Sequence, residues 1–180
     1  MYRMLMFACA IGVFLAMAGP ASADVVTLPD TSKTTTFTAT VSEQAEVSAS
    51  SAIAFAVEDV TSSTTNTSNA SVSATSIVID NGNTVKVEIQ ADASSFSAPT
   101  GGSVTWSAAN ISWDAPTWTG GTGASGELSA AGYTAVATSN ANASELSTTA
   151  LAFTLAAKAT VDRAGAHTLA ATWKFSSVTP

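Results

Sequence analysis

The apolar and polar positions of this chain alternate with the period of β-strands. In residues 76–90, SIVIDNGNTVKVEIQ, Val85, Val87 and Ile89 alternate with Lys86, Glu88 and Gln90, which places an apolar row on one face and a charged row on the other. Asn81-Gly82 separates this run from the β-branched run before it, and both residues tolerate the positive φ angles of a type I′ turn. The pattern predicts a β-hairpin with one dry face.

The same period recurs elsewhere. Over residues 34–41, Phe37, Ala39 and Val41 alternate with Thr36, Thr38 and Thr40, which predicts a first half-buried strand. Residues 45–49 and 52–57 continue it, the latter with Ile53, Phe55 and Val57 on one side. Residues 61–71, TSSTTNTSNAS, hold no apolar side chain larger than alanine and predict a solvated loop or edge. Val104 and Trp106 open another strand, residues 120–126, GGTGASG, read as a flexible excursion, and residues 133–138 form a short strand. The alanines of residues 145–161 would suit a helix, but Leu151, Phe153 and Leu155 repeat every second residue and favour strand. The last run carries His167, Leu169, Ala171, Trp173 and Phe175 on one face and is expected to pair with residues 151–155 as a hairpin around the Asp162-Arg163-Ala164-Gly165 turn. About nine strands, closely spaced turn signals and no amphipathic helix predict an all-β fold, a single antiparallel β-sandwich of jelly-roll or Greek-key type over residues 34–180.

Two segments precede that domain. Residues 1–23 combine Arg3, an apolar run and Ala21-Ser22-Ala23, the layout of a signal-peptide helix cleaved after Ala23. The apolar run is shorter than the roughly 20 residues of a spanning helix and lacks a basic stop-transfer flank. A secreted, extracellular or cell-surface protein is expected, with no membrane attachment after cleavage. Cys9 would leave with the peptide, so stability must come from core and sheet rather than disulfides. Residues 24–33, DVVTLPDTSK, place Val25, Val26 and Leu28 ahead of Pro29 and read as an N-terminal arm, the candidate assembly element.

Charge narrows the partners. The formal net charge is −7, and beyond residue 23 the only cations besides the single histidine are Lys33, Lys86, Lys158, Arg163 and Lys174. Without a basic stripe, neither nucleic acid nor anionic lipid is an expected partner. Charged residues make up only 11% of the chain, so Ser, Thr, Asn and Ala must cover the surface, as suits an extracellular structural protein.

Little in the sequence carries chemistry. His167 is the only histidine and no Gly-x-Ser-x-Gly motif occurs, so neither a catalytic triad nor a zinc site of the usual ligands can be assembled. Asp114 and Glu127 flank the tryptophan-rich region and are the best carboxylate pair for glycoside hydrolysis, although aromatic residues in a sandwich are ordinarily core. Asp80, Asn81 and Asn83 offer oxygen ligands for calcium, but the turn needs them in any case, and the spaced acids and final Glu of a recognised loop are missing. Neither an enzyme nor a cofactor is expected. Asn-x-Ser/Thr sequons at Asn66, Asn69, Asn110 and Asn142 mark exposure only weakly in so Ser- and Thr-rich a chain.

The run Ala164-Gly165-Ala166-His167-Thr168-Leu169-Ala170-Ala171-Thr172-Trp173 resembles the closing strand of secreted bacterial and archaeal β-sandwich subunits. It is similar to biofilm-matrix fibre proteins of the TasA and camelysin type, to archaeal bundling pili and to WxL-type surface domains; Trp173-Lys174-Phe175 departs from the Trp-x-Leu motif of the last group. The resemblance implies a structural role in which subunits polymerise or decorate a surface, often with an N-terminal strand completing the neighbour's sheet. The expected function is a subunit of an extracellular fibre, pilus or biofilm matrix, with other copies of itself or other cell-surface proteins as partners. The alternative is a carbohydrate-binding or adhesin module that stacks polysaccharide on Trp106, Trp113 and Trp118, with Asp114 and Asn110 as polar partners.

Overall fold

The structure, a computed structural model, describes residues 27, 29 and 34–180. The predicted signal peptide, and the arm residues Val25, Val26 and Leu28, lie outside the described residues. The chain divides into two units, Met1–Ala39 and Thr40–Pro180. In the first, residues 34–39 have no regular secondary structure and Phe37 is 92% exposed. The expected first strand is therefore not formed: alternation selects a strand only where a partner edge and a dry face are on offer.

The second unit is all-β, as the alternation predicts. It holds eleven short strands: β1 (Gln44–Ala49), β2 (Thr64–Thr65), β3 (Ala70–Val78), β4 (Thr84–Ala91), β5 (Ile111–Trp113), β6 (Gly121–Gly123), β7 (Gly126–Glu127), β8 (Thr134–Ser139), β9 (Leu146–Leu151), β10 (Phe153–Leu155) and β11 (Ala171–Val178). They form three antiparallel sheets, ordered β1-β3-β9, β2-β10-β5-β7 and β11-β4-β8-β6. Among the described residues there is no α-helix, only the 3-10 turn Ala108–Asn110. All three sheets feed one core, whose most deeply buried large side chains are Phe153, Leu146, Leu151, Val72, Val87 and Val136. Only Ala152 separates β9 from β10, so one extended run passes from the first sheet into the second.

Both expected hairpins are overturned. β3 and β4 do not pair; β3 lies between β1 and β9, and β4 between β11 and β8. The turn itself exists, with Asn83 N–H donating to the Asp80 carbonyl at 3.0 Å. Gly82 has φ +89° but Asn81 is not in the positive region, so the turn is not the type I′ whose twist keeps two strands together. It sends the chain from one sheet to another instead. At the C-terminus β10 pairs with β2 and β5, while β11 runs in unbroken register against β4 from Ala171↔Ala91 to Val178↔Thr84. The faces were nonetheless legible. Val85, Val87 and Ile89 are buried, and so on the opposite face is Glu88, clasped by Lys86 Nζ at 2.8 Å and Lys174 Nζ at 3.1 Å.

Other segments differ in kind. Ile53, Phe55 and Val57 pack against the core, yet residues 52–57 join no sheet. Residues 104–106 form no strand, although Trp106 is buried. The polar run 61–71 supplies the edge strand β2 but also the buried Asn66 and Ala70. The glycine-rich run is not a flexible excursion. It provides β6 and β7, and a Cβ on Gly123 or Gly126 would press on Trp118 or Trp113. Between residues 145 and 161 the strand expectation holds, as β9 and β10.

Candidate functional site

The three tryptophans of the expected sugar platform are core residues. Trp106 is 4% exposed, Trp113 3% and Trp118 6%. Trp106 Nε1 donates to the Ala156 carbonyl at 2.9 Å, and its ring meets Phe96 and His167 edge-on at centroid distances of 6.3 and 5.2 Å. Trp113 Nε1 donates to the Ala124 carbonyl at 2.9 Å, with Phe153 edge-on at 5.7 Å. Trp118 Nε1 is buried without a partner among the described residues. No indole face of the three is presented to solvent, which corrects the platform expectation. In a chain with few large apolar side chains, the rings that bury most area are drawn inward.

The polar residues assigned to that platform serve local structure. Asn110 Oδ1 accepts from Ser107 N–H at 2.9 Å and Ser107 Oγ at 2.8 Å, closing the 3-10 turn. Asp114 is exposed just after β5, and Glu127 is exposed opposite Ser112 on β7, so the two carboxylates share a sheet margin rather than an enclosed cleft.

The Asp80–Asn83 turn is tied down by its neighbours. Glu43 accepts from Asp80 N–H at 2.8 Å, Asn83 Nδ2 at 3.0 Å and Ser177 Oγ at 2.9 Å. These bonds, the Asp80 amide foremost, hold the Glu43 carboxyl below its ordinary pKa. Asn142 Oδ1 accepts from Gly82 N–H at 2.8 Å, while its Nδ2 donates to Asn81 Oδ1 at 3.3 Å. Among the described residues no group of three or more His, Cys, Asp or Glu is placed to hold a metal ion.

The sequons divide. Asn66 is 7% exposed; its Oδ1 accepts from Phe153 N–H at 2.8 Å and its Nδ2 donates to the Ser68 carbonyl, so it is a core clamp rather than an exposure marker. Asn69 and Asn142 are exposed, and Asn110 is half-buried.

The feature that sequence reading missed is a groove of about 1100 Å³ between residues 50–58 and residues 161–171. Ile53, Phe55, Val57, Phe96, Trp106 and Leu169 give it an apolar lining. His167 stands in its wall with both ring nitrogens engaged. Nε2 lies 3.0 Å from the Arg163 carbonyl, which can only accept, so Nε2 donates there, and Nδ1 lies 2.7 Å from Thr105 Oγ1. Asp162 pins the far end by accepting from Ser103 Oγ at 2.7 Å and from the Ser103 and Val104 amides, each at 3.1 Å. The Ser103 hydroxyl first, then the Val104 amide, lower its pKa to about 2. The only sequence signal was the alternation of residues 52–57 and 167–171, which gave no hint that a space lay between them.

No known protein family, curated protein or solved structure matches this chain.

Proposed function

We propose that the chain is a secreted structural protein, a subunit of an extracellular fibre, pilus or biofilm matrix, that assembles by donating an N-terminal strand to a neighbouring copy. One observation carries this reading. The alternating run that holds Phe37, Ala39 and Val41 has strand chemistry but forms no strand, and leaves Phe37 92% and Val41 68% exposed. Such a segment gains by pairing with another sheet, where main-chain bonds give affinity and alternate side chains give fit. It leads into β1, an edge strand whose Val47 is 52% exposed, and open edges are templates for pairing. The single-sandwich reading belongs with this proposal, supported by the one core and the Ala152 passage between two sheets. The carbohydrate-binding alternative lost its stacking faces to the core.

The test is negative-stain electron microscopy of the chain from Asp24 onward across a range of concentrations. Filaments of regular width are expected, and removal of residues 24–41 should leave the far-UV spectrum of β-structure while abolishing them. Dispersed monomers at every concentration would overturn the proposal, as would filaments that survive the deletion.

A further inference from the structure

The two walls of the groove, residues 51–60 and 164–170, belong to no strand, and few of their backbone donors are used among the described residues. From Ser51 to Val60 no backbone N–H donates to the backbone of another described residue, although Ile53, Phe55 and Val57 alternate as in a sheet. On the other wall, from Ala164 to Ala170, only Thr168 N–H does so, to Ser97. Backbone donors without a backbone partner among the described residues, on two sides of an apolar trough, are what an inserted strand would satisfy. A small-molecule site needs roughly 300–1,000 Å³ and a few convergent polar groups. This groove is above that range, and apart from Glu58, Asp162, Arg163 and His167 its larger lining side chains are apolar.

The chain itself contains a matching strand. Residues 34–42 carry no charge between Lys33 and Glu43, and their alternation offers Phe37, Ala39 and Val41 to one side and threonines to the other. From Phe37 to Val41 an extended chain covers about 13 Å, the same four-residue step that separates Ile53 from Val57. We infer that the groove between residues 50–58 and 164–171 is the acceptor for residues 34–41 of a second copy, seating Phe37, Ala39 and Val41 against Ile53, Phe55, Phe96, Trp106 and Leu169. The inference rests on the strand-donation reading above and names both partners in it.

Because the chain beyond residue 23 has no cysteine, single cysteines report this contact cleanly. Protein carrying Ala39→Cys is mixed with protein carrying Leu169→Cys, allowed to assemble and oxidised, with Thr122→Cys on exposed β6 as the control acceptor. A disulfide-linked dimer of the 39/169 pair well above the 39/122 pair is expected. In the doubly substituted chain this should become a ladder. Phe37→Asp, at an exposed position that the fold does not need, should raise the concentration required for assembly by about tenfold or more. Filaments without the 39/169 cross-link would overturn the acceptor assignment and leave the fibre reading standing. Absence of both filaments and cross-links would overturn both. A doubly substituted chain that closes on itself as a monomer, independent of dilution, would show the groove filled by its own segment and overturn the second-copy inference.

Discussion

Gly123→Ala and Gly126→Ala separate two accounts of the glycine-rich run by the sign of their effect. In a flexible surface loop, adding a Cβ narrows the unfolded ensemble and stabilises by about 0.4–1 kcal/mol. In the structure neither glycine has positive φ, so backbone strain does not enter and only the space for a methyl matters. A Cβ on Gly123 would stand 2.5 Å from the Pro116 carbonyl oxygen and 2.8 Å from Trp118 Cδ1; one on Gly126 would stand 2.7 Å from Trp113 Cζ2 and 2.8 Å from Thr134 Cγ2. Trp113 and Trp118 are buried and cannot swing out, so the strands must part and each substitution should destabilise by about 1–3 kcal/mol. Gly132 is the control, because nothing lies within 4 Å of its Cβ position and its φ is ordinary. Gly132→Ala should be neutral or stabilising by less than about 1 kcal/mol. Urea unfolding followed by tryptophan fluorescence reads all three: with slopes of roughly 1–3 kcal/mol per M, the first two midpoints should fall by about 1 M. If Gly123→Ala and Gly126→Ala both move with Gly132→Ala, the close packing of β6 and β7 on the indoles is wrong.

Three further outcomes follow from the same geometry. The folded pKa of Asp162, about 2, lies below the unfolded value near 3.9, so its contribution is fully present above that value and is lost as pH falls through about 2. Asp162→Asn should therefore flatten the fall in urea midpoint on acidification, and a profile parallel to the parent's would exclude this linkage. Asn66→Ala strands the buried Phe153 N–H and should cost about 1–3 kcal/mol, and in a glycosylating host Asn66 should stay unmodified; glycan at Asn66 in folded protein, seen by peptide mass mapping, would contradict its burial. In a Trp173→Phe variant, which removes the half-buried fourth indole, Trp106, Trp113 and Trp118 should give blue-shifted emission unaltered by polysaccharides, whereas a red-shifted spectrum that responds to sugar would return them to the surface.

The sequence by itself determined the period-two alternation, and hence the all-β class and the facing of most side chains. Val85, Val87 and Ile89 point inward as read, and Leu151, Phe153 and Leu155 are strand rather than helix, because side-chain alternation is a local property of an extended backbone. Alternation does not encode the partner. Asn81-Gly82 turns the chain as expected, but whether β4 then meets β3 or β11 depends on twist and on which dry faces are free. For the same reason residues 34–41 and 52–57, as regular as any true strand, join no sheet. Sequence reading put the tryptophans in the core ordinarily and kept surface stacking as the alternative, and the structure buries Trp106, Trp113 and Trp118. The groove could not be read at all, since alternation along one segment says nothing of the space left beside it. It exists only as the distance that the tertiary structure sets between residues 50–58 and 161–171.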